Sequence, residues 1–451
     1  MKNLLFTVSG LRGIVGETLT PDVIIHYTHA FVRVNGRGSY YLGRDTRPHG
    51  DMVRAAVIST LLASGCEAVD TGIVPTPTLL FVVREKNAKG GIVVTASHNP
   101  MEWNALKFVK EGGVFTFDSD VKKIKEFLSL NYKWSRWDKV GKLRNYPDAI
   151  DEHIDKILQS EFVNSDKIIK ANLRVAVDAV NGANYYALPH LLERLGIREI
   201  NCLNCEPTGI FPHPPEPRKE NLKELNDVLL KGDADIGFAT DPDGDRLLVG
   251  FRGSGLLTEE HTIALAAPQV LKHRKTDIVV NLSTSMMIEA VAKRFGVEVL
   301  RSKVGEANVV QKMQTVGSVF GGEGNGGVIV PEINATRDSL VGAALILSRV
   351  AEEGIEEVLD TLPPEFVLLK DKVNFRIKIP ENELMEKIKP DTVDKSDGLY
   401  LRKEDFWIHV RPSNTEPIMR IYVEAGDRQT AEGLLAEIKR ILQNAHLQMR
   451  M

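Results

Sequence analysis

Cysteine is scarce in this chain. Cys66, Cys202 and Cys205 are the only three, and an odd, low count fits a reducing compartment and leaves no disulfide framework to hold a fold. Cys202-Leu203-Asn204-Cys205 has the spacing of a metal knuckle, but no second pair and no nearby His-x-His accompanies it. Following Ile200, it reads as strand packing. Long hydrophobic runs are missing as well. No uninterrupted apolar stretch approaches the roughly 18–20 residues that a membrane span needs. Near the N-terminus Lys2 precedes only a short apolar stretch, and Ser9, Gly10 and Arg12 interrupt it before a signal-peptide core forms. Nor is there an excess of positive charge. A net charge of −4 argues against non-specific nucleic-acid binding, which needs a basic face, while leaving room for a local basic pocket. The expectation is a cytoplasmic protein with neither membrane nor nucleic acid as partner.

What is present is an ordinary globular composition, 43% hydrophobic and 26% charged over 451 residues. That length exceeds one core and predicts about three to four domains. Up to about residue 150 strand and helix signals alternate. Thr20-Pro21-Asp22 opens a helix with Thr20 as cap. Tyr40-Tyr41-Leu42-Gly43 is a strand ending at Arg44-Asp45-Thr46-Arg47. A helix over 52–62, a strand over 67–74 and an amphipathic helix over 118–130 follow the same pattern. Between the last two, the β-branched run Gly90-Gly91-Ile92-Val93-Val94-Thr95 reads as a buried strand. The pattern restarts at Leu173-Arg174-Val175-Ala176-Val177-Asp178 and again near Leu256. Alternation of this kind predicts α/β units with mixed or parallel sheets. Three segments each send an apolar strand into a polar or glycine-rich loop, at Ser97, at Asp241 and at Gly321. Pro363-Pro364 reads as a linker. Beyond it, strand signals over 373–377, 398–402, 406–410 and 419–423 and a helix over 430–442 predict an α+β domain with an antiparallel sheet and helices on one face. The units expected are 1–150, 151–253, 254–364 and a smaller one over 365–451.

Four loops carry chemistry. In Asp241-Pro242-Asp243-Gly244-Asp245-Arg246 the carboxylates stand two residues apart, so a turning backbone can aim all three at one point. Three like charges about 5 Å apart repel by about 3 kcal/mol per pair at an effective dielectric near 20. A divalent cation removes that cost, and hard oxygen ligands favour Mg²⁺ or Ca²⁺; a solvated acidic turn is the bland alternative. Ser97, in Thr95-Ala96-Ser97-His98-Asn99-Pro100, sits just past a strand end, where α/β folds bind ligands. A lone serine is a weak nucleophile that needs a base or a metal, or it can be phosphorylated and act as a phosphoryl donor. His98 is beside it, and Lys107 can neutralise phosphate or shuttle a proton. Each has an ordinary structural reading too. The run 321–327 matches no dinucleotide or phosphate-loop fingerprint; its Glu323 and Asn325 suit the vicinal hydroxyls of a sugar, and a mobile surface loop is the alternative. Arg411-Pro412-Ser413-Asn414-Thr415-Glu416-Pro417, with Arg420 beyond it, offers guanidiniums, hydroxyls and an amide that can cradle a phosphate, or it is a plain hairpin loop.

In this order, and together with Ser9-Gly10-Leu11-Arg12-Gly13, these loops resemble the α-D-phosphohexomutase family over nearly the whole chain. The resemblance implies three similar α/β domains and a smaller C-terminal α+β domain around one central cleft. It implies that Ser97 is the active-site serine, phosphorylated in the active form, and that Asp241, Asp243 and Asp245 bind Mg²⁺ with a phosphoserine oxygen as a further ligand. Arg246 and Arg12 match arginines near the transferred phosphoryl group, and Lys107 matches a lysine proposed as general acid/base. Lys303, Glu323 and Asn325 match substrate contacts, and Arg411, Ser413, Asn414 and Thr415 match the loop for the non-reacting phosphate. The implied reaction moves a phosphoryl group reversibly between O1 and O6 of a hexose phosphate. It passes through phosphoserine and a 1,6-bisphosphate, with a hexose 1,6-bisphosphate as activator, in a monomer or a homodimer.

Two departures from the family pattern stand out. The sugar loop usually has serine where Asn325 stands and often histidine where Gly327 stands, and Glu306 replaces the common histidine after Lys-x-Gly. Gly322-Glu323-Gly324-Asn325-Gly326-Gly327, Asn99-Pro100-Met101-Glu102-Trp103-Asn104 and Phe211-Pro212-His213-Pro214-Pro215-Glu216 most resemble the branch acting on glucosamine phosphates. The branch acting on glucose and mannose phosphates is the alternative. A non-catalytic phosphosugar sensor would not need the phosphoryl donor Ser97, and a sugar phosphatase would share the metal site but release phosphate.

Overall fold

The computed structural model describes residues 4–129, 131–413 and 418–448, and they form four sheets. In the first, the strands Glu67–Ile73, Ser39–Arg44 and Gly90–Val94 run parallel, and Trp103–Lys110 pairs antiparallel with the last of them. The second repeats this pattern with Glu199–Leu203, Arg174–Asp178 and Ile236–Thr240 parallel and Leu247–Phe251 antiparallel. The third repeats it again with Val299–Ser302, Ile278–Asn281, Phe320–Glu323 and Gly327–Ile329. The loops at Ser97, Asp241 and Gly324 are thus equivalent: each joins the third strand of its sheet to an antiparallel fourth.

The pleat explains why the first unit folds this way. Ile92 and Val94 turn to one side, into a cluster with Tyr40, Leu42 and Phe108, while Val93 turns to the other with Tyr41, Val69 and Val109. A run buried on both faces needs helices on both, and Gly50–Ala63 and Thr76–Glu85 supply them. The second cluster continues through Ile154, Val175, Phe238, Leu265 and Leu345, so the first three units share one core.

The fourth sheet is antiparallel throughout, in the order Val367–Val373, Met419–Ala425, Phe406–Pro412, Leu399–Arg402, Thr392–Asp394. The helices Glu381–Ile388 and Arg428–Gln448 pack on one face over Leu401, Ile408, Ile421 and Val423. The opposite face presents Tyr400, Trp407 and Tyr422 to Leu282 and Met286 of the third unit.

Three local expectations are corrected. The first strand of the last sheet is Val367–Val373, not 373–377. Val367 and Leu369 face one cluster and Leu368 the other, so no alternation of polar and apolar residues marked them. The glycine run 321–327 is mostly strand, with only 324–326 in the turn. Thr20 precedes the helix Pro21–Asn35 as expected, but its hydroxyl bonds the Asp22 carboxylate and not a backbone N–H. Among the described residues no helix is long and apolar enough to cross a membrane.

Candidate active site

Ser97 is buried and holds a left-handed backbone, φ +51°, which strains a residue with a Cβ by about 1–3 kcal/mol. The strain is held by Arg47. Its fully buried guanidinium donates to the carbonyls of Ser97 (2.8 Å), Asn99 (2.6 Å), Pro100 (2.7 Å) and Trp103 (3.1 Å) and pairs with Asp45 at 3.2 Å. Asp45 in turn accepts from the Thr95 hydroxyl at 2.6 Å. The turn is therefore gripped from the end of the neighbouring strand Ser39–Arg44. The Ser97 hydroxyl emerges against Asp241 Oδ2 at 2.9 Å, with His98 Nδ1 at 3.3 Å. Burial, then Arg246 and Arg12, push the His98 imidazole well below its usual range, so the ring is neutral.

The aspartate loop joins Ile236–Thr240 to Leu247–Phe251, and all three carboxylates are buried. Asp241 Oδ1 accepts the N–H groups of Asp245 and Arg246 at 3.1 and 3.2 Å. Asp243 Oδ2 accepts from Thr76 at 2.7 Å and Lys107 Nζ at 2.5 Å, both from the first unit. Burial, and then Asp245 and Asp243, drive the Asp241 carboxyl well above its ordinary value. For Asp243 burial also pushes upward, but Lys107 and the hydrogen bonds around it win and hold the group down. Asp243 Oδ1 and Asp245 Oδ1 are buried with no hydrogen-bond partner, and one oxygen from each aspartate lies within 4.8 Å of the others. An all-oxygen set with orphaned acceptors can hold a hard divalent cation. Around it stand Arg12, which donates to Asn99 Oδ1 at 2.7 Å, and Arg246, which reaches Glu216 at 3.2 Å. Burial first, and then Arg246, pull the Arg12 guanidinium below its ordinary value, against the opposing pull of Asp243.

Sequence reasoning missed Arg337. It stands one residue before Asp338, whose carboxylate caps the helix Ser339–Glu353. Its guanidinium meets three carboxylates: Asp245 at 2.5 Å, Glu323 at 2.9 Å and Glu306 at 3.2 Å. Burial would loosen its proton, but those carboxylates outweigh burial and hold it well above the usual arginine value. Glu306, where the family commonly has histidine, is thereby committed to Arg337 and to the Thr336 hydroxyl. Burial raises its carboxyl.

Glu323 is buried, with Oε1 accepting from Asn281 (2.7 Å) and the Gly305 N–H (3.2 Å). A Cβ on Gly324 beside it would lie 1.7 Å from Glu260 Oε2, so any other residue there has to displace that buried carboxylate. Asn325 is half-buried, with Oδ1 unpartnered. Lys303 is exposed. Asp397 then links this region to the last unit: it accepts the Val304 N–H at 3.2 Å and faces Arg411 Nε at 3.2 Å. Arg411 is directly opposite Arg420 in the ladder, and Ser413 follows, its N–H bonded to the Ile418 carbonyl at 2.9 Å. Asn414 and Thr415 lie outside the described residues. An unbroken polar path thus runs from Ser97 through Asp241 and Asp245, Arg337, Glu323, the 303–305 turn and Asp397 to Arg411.

The signals for the missed residues were faint. Arg47 and Asp45 are a charged pair directly after a buried strand, which is unusual enough to notice. Nothing near Arg337 in sequence points to Asp245, 92 residues away.

Comparison with known proteins supplies the family. Phosphoglucomutase/phosphomannomutase α/β/α domain I matches residues 3–132, domain II matches 151–253, domain III matches 258–366, and the C-terminal domain matches 349–441. The chain is 35% identical over 455 residues to a probable phosphoglucosamine mutase of Methanopyrus kandleri, covering 99% of each. It is also 35% identical over 456 residues to a phosphoglucomutase/phosphomannomutase of Thermococcus kodakarensis, covering 98% of this chain and 99% of the relative. Among solved structures, a phosphoglucomutase/phosphomannomutase family protein from Burkholderia thailandensis superposes with TM-score 0.83 at 26% identity, covering 98% of both chains.

Proposed function

The chain belongs to the phosphoglucomutase/phosphomannomutase family, and on that premise we propose that it interconverts glucosamine 6-phosphate and glucosamine 1-phosphate, with Ser97 as the phosphoryl carrier. It is a phosphohexomutase, an enzyme of the isomerase class. The glucosamine preference rests on several relatives named as probable phosphoglucosamine mutases at 31–35% identity and on the glycine-rich turn at Glu323. The relative of equal identity named phosphoglucomutase/phosphomannomutase supports glucose and mannose phosphates as the second reading. We take residues 1–150, 151–253, 254–364 and 365–451 as the units, acting in the cytoplasm.

The observation that carries the mechanism is the Ser97 hydroxyl at 2.9 Å from Asp241, beside two orphaned aspartate oxygens. Asp241, Asp243 and Asp245, with a phosphoserine oxygen, would hold Mg²⁺. Bound there, it supplies positive charge against the phosphoryl oxygens. Phosphoserine carries about −1.5 to −2 charge, and Arg12 and Arg246 flank the place where that charge would lie. The free sugar hydroxyl attacks the phosphorus: a new O–P bond forms, the bond from phosphorus to Ser97 Oγ breaks, and Lys107 Nζ handles the hydroxyl proton. The 1,6-bisphosphate turns around, and its other phosphoryl group returns to Ser97 by the same exchange. Free hexose 1,6-bisphosphate restores any enzyme that has lost its phosphate. Arg411, Ser413, Asn414, Thr415 and Arg420 hold the non-reacting phosphate, while Lys303, Glu323 and Asn325 read the sugar.

The test is a coupled assay with glucosamine 1-phosphate, glucose 1-phosphate and mannose 1-phosphate on wild type and Ser97→Ala. Wild type should isomerise the glucosamine ester fastest, and Ser97→Ala should lose at least about 10⁴-fold in turnover. Substantial turnover in Ser97→Ala ends the phosphoserine mechanism, and release of inorganic phosphate without isomer makes the protein a phosphatase.

A further inference from the structure

Cys202 and Cys205 stand at the edge of the second sheet, outside the path from Ser97 to Arg411. Glu199–Leu203 is the edge strand there, beside Arg174–Asp178, and Cys205 lies two residues past its end. In the sequence both cysteines read as strand packing. Cys205 fits that reading, because it is half-buried and packs with Ile200 on the core shared by the first three units. Cys202 does not: it is exposed.

The backbone brings the two side chains together. Ile200 and Cys202 are two residues apart on a strand and share a face. Ile200 and Cys205 pack on the same core, while Leu203 turns the other way, toward Ala176 and Leu222. Leu203 is still in the strand and Asn204 is left-handed, φ +51°, the order of a tight turn that needs a positive φ at its third residue. Such a turn sets its first and fourth Cα atoms less than about 7 Å apart, which is the reach of a disulfide. Asn204 is held in that conformation. Its Nδ2 donates to Asp178 at 2.9 Å, and its carbonyl accepts the Asn181 N–H at 2.6 Å. Cys205 Sγ lies 3.2 Å from the Leu203 carbonyl oxygen, and the two thiols are hydrogen-bonded to each other.

The pair is unequal. The hydrogen bond from Cys205 favours a thiolate at Cys202 and pulls that thiol below its ordinary value, against burial and Glu193. The same bond, and then burial, push the Cys205 thiol up. An exposed thiol that ionises readily is the attacking group of thiol–disulfide exchange, and a protonated thiol beside it is the group that resolves the mixed disulfide. A metal knuckle is the competing use of this spacing, and it needs further ligands. Among the described residues, the group of three or more ligand atoms near enough to share an ion is the aspartate triplet. The third cysteine, Cys66, is buried in the first unit, and burial raises its thiol.

We propose that Cys202 and Cys205 are a reversible redox site whose exposed thiol attacks a low-molecular-weight disulfide and whose half-buried thiol then closes an internal Cys202–Cys205 bond. The Cys202 thiolate attacks one sulfur of the oxidant, so that a mixed disulfide forms and one thiolate leaves. Cys205 gives its proton to solvent and attacks Cys202 Sγ. The internal S–S bond forms, and the second thiolate of the oxidant leaves. Two electrons pass from the cysteine pair to the oxidant, which ends as two thiols. In a reducing compartment a disulfide of this kind is transient. The site shares no residue with phosphoryl transfer and does not depend on the reading of that reaction.

The test treats the full native chain with oxidised glutathione at neutral pH and counts free thiols after denaturation. The three thiols of the reduced chain should fall to one, the peptide holding Cys202 and Cys205 should lose two hydrogens in mass, and dithiothreitol should restore all three thiols. Cys205→Ser should stop at a glutathione adduct on Cys202. Cys202→Ser should react at least about tenfold more slowly and keep wild-type mutase turnover, and Cys66→Ala should still close the bond. Alkylation of Cys202 by iodoacetamide should rise with pH at a midpoint below the ordinary thiol value of 9, and Cys205→Ser should move that midpoint up. Three thiols surviving oxidised glutathione, a stable glutathione adduct on the wild type, a bond joining two chains through Cys202, or a midpoint that Cys205→Ser does not move each overturns the proposal.

Discussion

Where the first two units meet, Ser97, Lys107 and Thr76 reach Asp241 and Asp243 through charges and charged hydrogen bonds of 2.5–2.9 Å. Where the last two meet, Tyr400 and Trp407 pack on Leu282 and Met286. The polar links there include the Trp407 indole and the Met286 N–H on Glu424, the Ser283 hydroxyl on His409, and Arg402 on Glu289. The first junction fixes the positions of charges, as electrostatic stabilisation of a transferring phosphoryl group requires. The second mates two shaped surfaces, with Arg411 facing Asp397 beside them. A substitution at the first should strike turnover, and one at the second should strike substrate affinity and the cohesion of the last unit.

The largest expected effect is at Arg47. Replacing it with methionine takes the guanidinium from the buried Asp45 carboxylate, from the buried Ser97 carbonyl and from the partly buried carbonyls of Asn99, Pro100 and Trp103. Breaking a buried pair costs about 3–5 kcal/mol, and the Ser97 turn loses the contacts that offset its strained φ. Turnover should drop at least about 10²-fold, and the urea midpoint should fall well below that of wild type. If Arg47→Met keeps wild-type turnover, the first junction is not organised by charge as described.

Arg337→Met comes next. It leaves Asp245, Glu306 and Glu323 together without their shared cation. We expect kcat to fall about 10²-fold, in the range for loss of one charge-stabilising donor. Mg²⁺ affinity, followed by titration calorimetry without substrate, should change with it, since Asp245 would be free to reorient. A rise in KM alone would move Arg337 from the catalytic side of the comparison to the recognition side.

These two arginines also mark the limit of what could be read in the chain. Gly90–Val94, Ile236–Thr240 and Ile278–Asn281 are largely apolar runs with no charge inside them, and each was legible as a strand. The aspartate cluster was legible because its members are two residues apart, so that one loop brings them together. Val367–Val373 was not, because it buries both faces at its start and carries Lys370, Asp371 and Lys372 near its end. Arg47 and Arg337 act on groups far away in sequence, and their weight depends on burial that only tertiary packing creates. Glu306 was visible as a departure from a family pattern, but its partner was not.

His409 tests the second junction through pH. Burial pushes its imidazole down to about 4, against the opposing pull of the Asp397 carbonyl and carboxylate. The unfolded chain therefore takes up the proton near its ordinary value of 6.5, and the folded chain only near 4. Between those values the unfolded state binds more protons, so stability is full above about 6.5 and falls as pH drops toward 4. The contribution is at most about 3 kcal/mol. Urea midpoints measured across that window should fall more steeply for wild type than for His409→Asn. Equal slopes would mean that the junction admits enough water to solvate the ring.

The smallest effect is expected from Arg402→Met. Glu289 is held by two guanidiniums, Arg402 from the last unit and Arg301 from its own, and together they outweigh burial and keep its carboxyl low. Removing one leaves the other at 2.9 Å, so the carboxylate stays paired and the loss is about 1–2 kcal/mol. The apolar contact of Tyr400 and Trp407 is untouched. KM should rise a few-fold with kcat nearly unchanged, because Arg411 and Arg420 keep their ladder positions while the last unit sits less firmly on the third. A kcat loss as large as that of Arg337→Met would show that the mated surfaces of the second junction, too, serve to place charge at Ser97.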